Sequence, residues 1–317
     1  MSTASHITTT VAICTFNRAR RLDATLAGLA QLRIPAELAW EVIVVNNNST
    51  DDTDAVLDRH KERLPLRRVF EPRPGKSHAA NRAVGEAHGD LILWTDDDVV
   101  VDEHWVAEYV RAARDHPTVS YFGGTVDPCF EAQAPAWIGA NVRLLSEPYA
   151  LAQHGREMFL LGEEPVVGVN MATRTDVVKR FPFNVELGPM GGRALRGEDT
   201  ELIGRLRAAG LSGLWVGSAR IEHVIPAERL TLDYLWHWYG GLGSYVAQHS
   251  GIVTDVPLLF GAPRWAARKY VELLLKYWLL YPFKRRTWFQ TLREAALMKG
   301  YLAEARRAVS IRRLLKG

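Results

Sequence analysis

The stretch "WEVIVVNNNSTDDTDAVLDRHKERL", Trp40 to Leu64, decides the fold. It opens on a nearly continuous apolar run, the pattern of a strand buried on both faces. After a polar turn comes a segment of helical length, with Ser49 or Thr50 available to cap it. The same unit recurs on either side. Upstream, "TTTVAICTF" (Thr8–Phe16) is short and β-branched, ends in a turn-like "NR", and leads into "RRLDATLAGLAQL", where Leu22, Leu26 and Leu29 keep helical spacing. Downstream, "GKSHAANRAVGEAHG" reads as a helix stopped by Gly89, and "DLILW" as the next strand. Strands alternating with helices predict a parallel α/β sheet with right-handed crossovers, whose ligands bind beyond the carboxyl ends of the strands. Asn17, Asn46 to Asn48 and Asp96 to Asp98 all fall at such ends.

The chain has 317 residues, 47% of them hydrophobic, enough to bury a full core in one large domain with an appendage. Two cysteines, Cys14 and Cys129, are too few for a disulfide framework or a thiolate metal cage, so a reducing compartment is expected. The first residues lack a basic region followed by an apolar one, and no apolar run reaches the roughly 18 residues that span a bilayer. The expectation is a cytoplasmic protein without a transmembrane helix. The formal charge of +3 divides unevenly: from Pro263 onward there are 14 Lys or Arg against three acids, leaving 25 basic and 33 acidic residues before it. A basic tail of this kind could meet nucleic-acid phosphates, a phospholipid surface or acidic patches on its own body. Nucleic acid is not expected, since a lipid surface or a diphosphate already offers the anion.

"LILWTDDDVVVDEHW" (Leu91–Trp105) runs straight from an apolar strand into three aspartates. Asp96 and Asp98, two apart, would face one side if the strand continued, and hard oxygen ligands suit Mg²⁺ or Mn²⁺. A solvated acidic turn capping a helix near Asp102 is the plainer alternative. About a hundred residues on, "GPMGGRALRGEDTELIGRLRAAG" puts Glu198, Asp199 and Glu201 at the start of a helix ending at Gly210. The helix dipole favours acids there, so capping explains them locally. A glycine-rich approach to an acid held by a rigid helix is also the composition of a lid closing over a base.

Taken in order, "VAICTFNR", "EVIVVNNNSTDDT", "GKSHAANRAVGEAHGD", "LWTDDDVVVDEHW", "FGGTV", "VGVNMATR", "RGEDTELIGRLRAAG" and "RIEHVIPAERLT" resemble the family 2 glycosyltransferases from about Val11 to Tyr239. That resemblance implies an inverting enzyme of GT-A fold, an α/β Rossmann-like nucleotide-diphospho-sugar transferase, over residues 1–230. A mostly helical, basic extension, 231–317, would pack on it or on a membrane surface. It implies a nucleotide-diphosphate sugar donor, a UDP-sugar first, a divalent cation, Mn²⁺ or Mg²⁺, and an acceptor that is a saccharide, lipid-linked or a small molecule.

Carried over residue by residue, the resemblance sets Thr15, Asn17, Arg18 and Asn46 around the base, although the family commonly has Asp at Asn46. Lys76, Asn81 and Arg82 would approach the base or phosphates. Asp98 would ligate the cation, Asp96 the ribose or cation, with Asp97 between them, and His223 would add a further ligand or a pyrophosphate contact. Arg229 would neutralise the leaving diphosphate, and "VGVNMA", with Gly168 and Asn170, would form the wall under the donor sugar. Asp199 would be the base, with Glu198 as the alternative.

Two rival readings belong to other classes. "DDDVV" also fits the D-x-D-x-V signature of haloacid-dehalogenase-type phosphatases, with Asp96 as nucleophile and Asp98 as acid. A non-catalytic sugar-nucleotide-binding protein would be expected to lack the base, and this chain keeps both Glu198 and Asp199. In the extension, "LDYLWHWYGGLGSYV" offers either an aromatic acceptor platform or core packing. "APRWAARKYVELLLKYWLLYPFKRR" predicts a helix halted before Pro282, with Arg268, Glu272 and Lys276 as a narrow polar stripe on an apolar cylinder. Its Trp and Tyr content, flanked by Lys284, Arg285 and Arg286, suits either an interfacial helix making peripheral membrane contact over 264–286 or a helix docked on the body.

Overall fold

A computed structural model describes residues 7–188, 197–250, 256–259, 261–283 and 286–314. The chain falls into two compact units: residues up to Cys129 with Ala150–Val224, and Phe130–Tyr149 with the residues from Ile225 on.

In the first unit the strands and helices run β1 (Thr9–Thr15), α1 (Ala19–Leu29), β2 (Trp40–Asn46), α2 (Thr53–His60), β3 (Leu66–Phe70), α3 (Lys76–Glu86), β4 (Leu91–Thr95), β5 (Val99–Val101), α4 (Trp105–Asp115) and β6 (Tyr121–Phe130). After α5 (Ala136–Asn141), which belongs to the second unit, come β7 (Met158–Leu160), β8 (Asn170–Arg174), α6 (Thr175–Arg180), α7 (Glu198–Ala208) and β9 (Gly213–Ile225). Among the described residues they form one sheet in the order β3-β2-β1-β4-β8-β6-β9-β5, with β7 also on β9. The first four strands are parallel, as the alternation predicts. The sheet then changes character: β8 runs antiparallel to both β4 and β6, and β5 antiparallel to β9. The expectation of a parallel sheet therefore holds for one half. The other half is antiparallel, built from strands that lie far apart in the chain with α4 to α7 between them.

Val42 to Val45 and Leu91 to Leu93 are fully buried, the continuous apolar pattern of strands covered on both faces. The helix after β2 starts at Thr53, later than a Ser49 or Thr50 cap would place it. Asp51 accepts the Thr53 N–H at 3.2 Å, while Ser49 and Thr50 are spent on Asn17. Likewise α3 ends at Glu86, ahead of Gly89. Gly89 is needed elsewhere: a Cβ there would run into the Thr9 and Thr10 backbone.

In the second unit, α8 (Leu232–Ser250) packs on α10 (Arg286–Leu314), and α9 (Arg264–Leu280) follows the short hairpin β10 (Leu258–Leu259) and β11 (Ala262–Pro263). The glycines of "YGGLG" are the reason α8 and α10 come so close. A Cβ on Gly243 would collide with the Leu297 carbonyl, and one on Gly300 with that of Gly240. Trp288, Phe289 and Tyr239 are buried among Trp137 and Tyr277, so these aromatics build a core.

Candidate functional site

Three parallel strands end side by side, and their loops are fastened by asparagines. Asn17 and Asn48 take left-handed backbone angles (φ 52° and 68°), which Asn tolerates better than most residues. Asn17 Oδ1 accepts the Thr50 N–H at 2.7 Å, and its own N–H donates to Ser49 Oγ at 3.0 Å, tying the β1 loop to the β2 loop. Asn46 closes its own turn by accepting the Ser49 N–H and donates to Asp54 Oδ1 at 3.0 Å. Buried Asn47 donates to the Glu71 and Arg73 carbonyls and accepts from Gly75, and Asn48 adds the Pro72 carbonyl. Asn47 and Asn48 fall at the strand end that the sequence predicts, with no individual role assigned to them there. The available signal was the run of three asparagines itself, since such side chains bond neighbouring backbone in turns.

The aspartates do not continue a strand. β4 stops at Thr95, and the chain re-enters the sheet only at Val99, so the three carboxylates diverge. Asp96 accepts from Lys76 Nζ at 2.7 Å. Asp97, 3% exposed, accepts from Thr15 Oγ1 at 2.7 Å and from Arg18 at 3.0 Å. Asp98 accepts from the same Arg18 nitrogen at 2.9 Å and lies 3.6 Å from Arg21. Burial pushes the Asp97 carboxyl up to about 6 against the lowering pull of Arg18. Charge repulsion within the run is thus met by the chain's own cations. Thr15 and Arg18 engage the acidic run directly, at the base of the pocket loops.

His223 reaches this cluster through strand register. Val99 pairs with His223, the Val224 N–H donates to the Asp98 carbonyl at 2.9 Å, and His223 Nε2 sits 3.4 Å from Asp98 Oδ1. Two adjacent ligands of an octahedral Mg²⁺ or Mn²⁺, each about 2.1 Å from the ion, stand roughly 3 Å apart. Asp98 and His223 therefore fit two neighbouring positions around one such cation. Among the described residues no group of three or more His, Cys, Asp or Glu gathers to hold an ion. The donor set is that of a partial site, which small divalent cations commonly complete with substrate phosphates and water.

The second acidic cluster meets the first. Gly197, in a left-handed conformation (φ 95°), turns the chain into α7, whose first residues are Glu198 and Asp199. Lys76 Nζ, bonded to Asp96, is also 3.7 Å from Glu198 Oε1. Glu198 is buried, and burial raises its pKa against the opposing charge of Lys76. Partial withdrawal from water would lower the Lys76 ammonium, but Asp96 and Glu198 outweigh it and hold it above its ordinary range. Half-buried Asp199 is oriented by backbone: Oδ2 accepts the Gly168 N–H at 2.6 Å and Oδ1 the Thr200 N–H at 2.8 Å. A small pocket is lined by Cys14, Lys76, Asp96, Gly168, Glu198 and Asp199, among others. The glycine-rich stretch read as a lid lies, over residues 189–196, outside the described residues.

Other expected site residues stand elsewhere. Asn170 is fully buried: its Oδ1 accepts from Trp105 Nε1 and Tyr109 OH, and its amide donates to the Thr125 and Ala219 carbonyls. That uses the whole hydrogen-bonding capacity of an asparagine side chain, and it is the neighbouring Gly168 and Met171 that line the pocket. Asn81 exchanges two hydrogen bonds with the Phe183 backbone. Arg82 pairs with Glu86 one turn along α3 at 2.8 Å. Arg229 belongs to the second unit, where its guanidinium lies over the Tyr234 ring and its carbonyl accepts from Tyr149. Phe16, the end of the first strand segment and not among the expected site residues, is 53% exposed beside Asn17.

These features agree with comparisons to known proteins. Residues 10–159 match the model of glycosyl transferase family 2. The succinoglycan biosynthesis protein ExoM of Rhizobium meliloti is 23% identical over 239 residues, 71% of this chain and 69% of that one. A glucosyl-dolichyl phosphate glucuronosyltransferase of Haloferax volcanii is 24% identical over 234 residues, 71% and 72% of the two chains. The mannosyltransferase PcManGT of Pyrobaculum calidifontis, solved in complex with GDP-Man and Mn²⁺, superposes with a TM-score of 0.54 at 21% identity, covering 96% of this chain and 75% of that one. The structural likeness shows the GT-A fold, and a helical part follows it. The acidic run at the end of β4 lies inside the matched residues and the second acidic pair beyond them, so residues 10–159 form a glycosyl transferase family 2 domain.

Proposed function

We propose that the chain is an inverting transferase that moves a sugar from a nucleotide-diphosphate donor, a UDP-sugar first among them, to an acceptor hydroxyl by direct displacement assisted by Mn²⁺ or Mg²⁺. The observation that carries this reading is the Lys76 bridge, which joins Asp96 to the helix start bearing Glu198 and Asp199, about a hundred residues away. Asp199 takes the proton of the acceptor hydroxyl as that oxygen forms its bond to the anomeric carbon. The bond from that carbon to the diphosphate breaks on the opposite face, and its electron pair leaves with the diphosphate. Such proton removal is typically worth about 10²- to 10⁴-fold.

Asp199 suits the part better than Glu198, because two backbone N–H groups orient its carboxylate while Glu198 is buried against Lys76. Asp98 and His223 would hold the cation, with Asp96 near it, and the bound ion would supply Lewis-acid stabilisation of the departing diphosphate. Arg18 and Lys76 add fixed positive charge beside it. Phe16, exposed at the end of β1, offers a ring on which the base stacks, with Asn17 and Asn46 holding the loops around it.

The Mn²⁺ and GDP-Man bound by the Pyrobaculum protein, and the lipid-phosphate in the name of the Haloferax relative, support a metal-dependent donor site and a lipid-linked acceptor. Nucleotide-sugar donors place the work in the cytoplasm, at the cytoplasmic face of a membrane where such an acceptor would lie. Calorimetric titration of UDP and of GDP, each with Mn²⁺ and with EDTA, tests the donor site. Metal-dependent binding of one nucleotide supports it, and binding of neither removes it.

A further inference from the structure

Helix α9 has two apolar faces. Ala266 and Leu273 are buried on the inner one, Ala266 in a cluster with Ala262 and Leu302. The outer face repeats at i, i+4, i+7 and i+8: Val271, Leu275, Trp278 and Leu279 are 54, 68, 64 and 72% exposed, and Phe283 in the following turn is 65% exposed. Contiguous apolar surface of this kind on a water-facing helix marks an interaction site. Interleaved with it are the exposed basic residues Arg264, Arg268, Lys269 and Lys276, against one exposed acid, Glu272. The stripe read from sequence as Arg268, Glu272 and Lys276 is therefore part of a broad amphipathic surface. No helix among the described residues is long and apolar enough to cross a membrane.

We propose that this outer face of α9 lies along an anionic phospholipid surface, with Leu275, Trp278, Leu279 and Phe283 entering the headgroup boundary and Lys269 and Lys276 reaching lipid phosphates. Charge selects this occupant. Two copies meeting through the face would bring two basic stripes together, whereas an anionic bilayer attracts both the charges and the aromatic side chains that favour its interface. Lysine stems can lie along the apolar surface with their ammonium groups extended to the headgroups. The proposal deepens the membrane-side location given above. Lipid binding is read without donor or acceptor, so it stands or falls separately from the transfer reaction.

The test is flotation of the full chain with phosphatidylcholine vesicles, with and without phosphatidylglycerol, at low and high salt. Binding is expected to the phosphatidylglycerol vesicles at low salt and to weaken at high salt. It should fall roughly fivefold for each basic residue removed in Lys269→Gln and Lys276→Gln. Trp278→Ser with Leu279→Ser should weaken it by roughly tenfold or more, and the thermal midpoint should hold because these side chains are exposed. Absence of binding at low salt overturns the proposal, as does binding indifferent to both sets of substitutions. A light-scattering dimer dissolved by Leu279→Glu, without vesicle binding, would overturn it in favour of contact between copies.

Discussion

Asp199→Asn separates a base from a helix cap. Both carboxylate oxygens accept a backbone N–H, Oδ2 from Gly168 at 2.6 Å and Oδ1 from Thr200 at 2.8 Å. An asparagine has one oxygen and one NH₂, so in either orientation one backbone donor faces another donor. The structural cost is about one hydrogen bond to a charged group, roughly 1 to 3 kcal/mol, which in a chain this large lowers the thermal midpoint by a few degrees. The chemical cost is separate. An amide cannot take a proton at neutral pH, and loss of general-base assistance should lower kcat about 10²- to 10⁴-fold. Donor contacts remain, so calorimetry should find donor affinity nearly unchanged while initial-rate assays find transfer nearly gone. If donor affinity falls in step with kcat, or if transfer survives, the carboxylate is a structural cap and the assignment of the base fails.

Asp98→Ala should erase the difference in donor affinity between Mn²⁺ and EDTA, measured by calorimetry; a persistent difference would move the cation elsewhere. Gly243→Ala and Gly241→Ala should change stability in opposite directions on thermal melts. A Cβ at Gly243 meets the Leu297 backbone, an overpacking cost of about 1 to 3 kcal/mol, whereas Gly241 has open space and gains roughly 1 kcal/mol of helix propensity. Asn47→Ala removes three hydrogen bonds from a buried site and should cost about 2 to 4 kcal/mol in urea denaturation. Glu71 is held down at about 2 by its hydrogen bonds to Arg73. A lowered carboxylate stabilises above its ordinary value, so the deficit of Glu71→Gln should be full above pH 4.5 and close as pH falls towards 2.

The parallel half of the fold was legible because its signals are local. "EVIVVN" and "LILW" are unbroken apolar runs, and α1 and α7 show their spacing or their glycine stop within one window. The antiparallel half was not, since β5 is only three valines and its partner lies more than a hundred residues away. The same distance hid the site's wiring. That Asp98 faces His223 follows from the Val99–His223 register, and that Lys76 spans Asp96 and Glu198 follows from where α3 and α7 start. Asn170 shows the opposite failure: its motif was legible, but four buried partners, supplied by Trp105, Tyr109, Thr125 and Ala219, take its side chain away from the pocket. Phe130–Tyr149 joining the second unit has no local signature, because a segment's partners are set by packing.

The most direct measurement is the release of nucleoside diphosphate from a panel of UDP- and GDP-sugars by the wild-type chain, with Mn²⁺ and with EDTA. A divided transferase site predicts release from one donor, in the presence of Mn²⁺ only, with no inorganic phosphate formed. Release of inorganic phosphate, or turnover of no donor together with failure to bind any nucleotide, would contradict it.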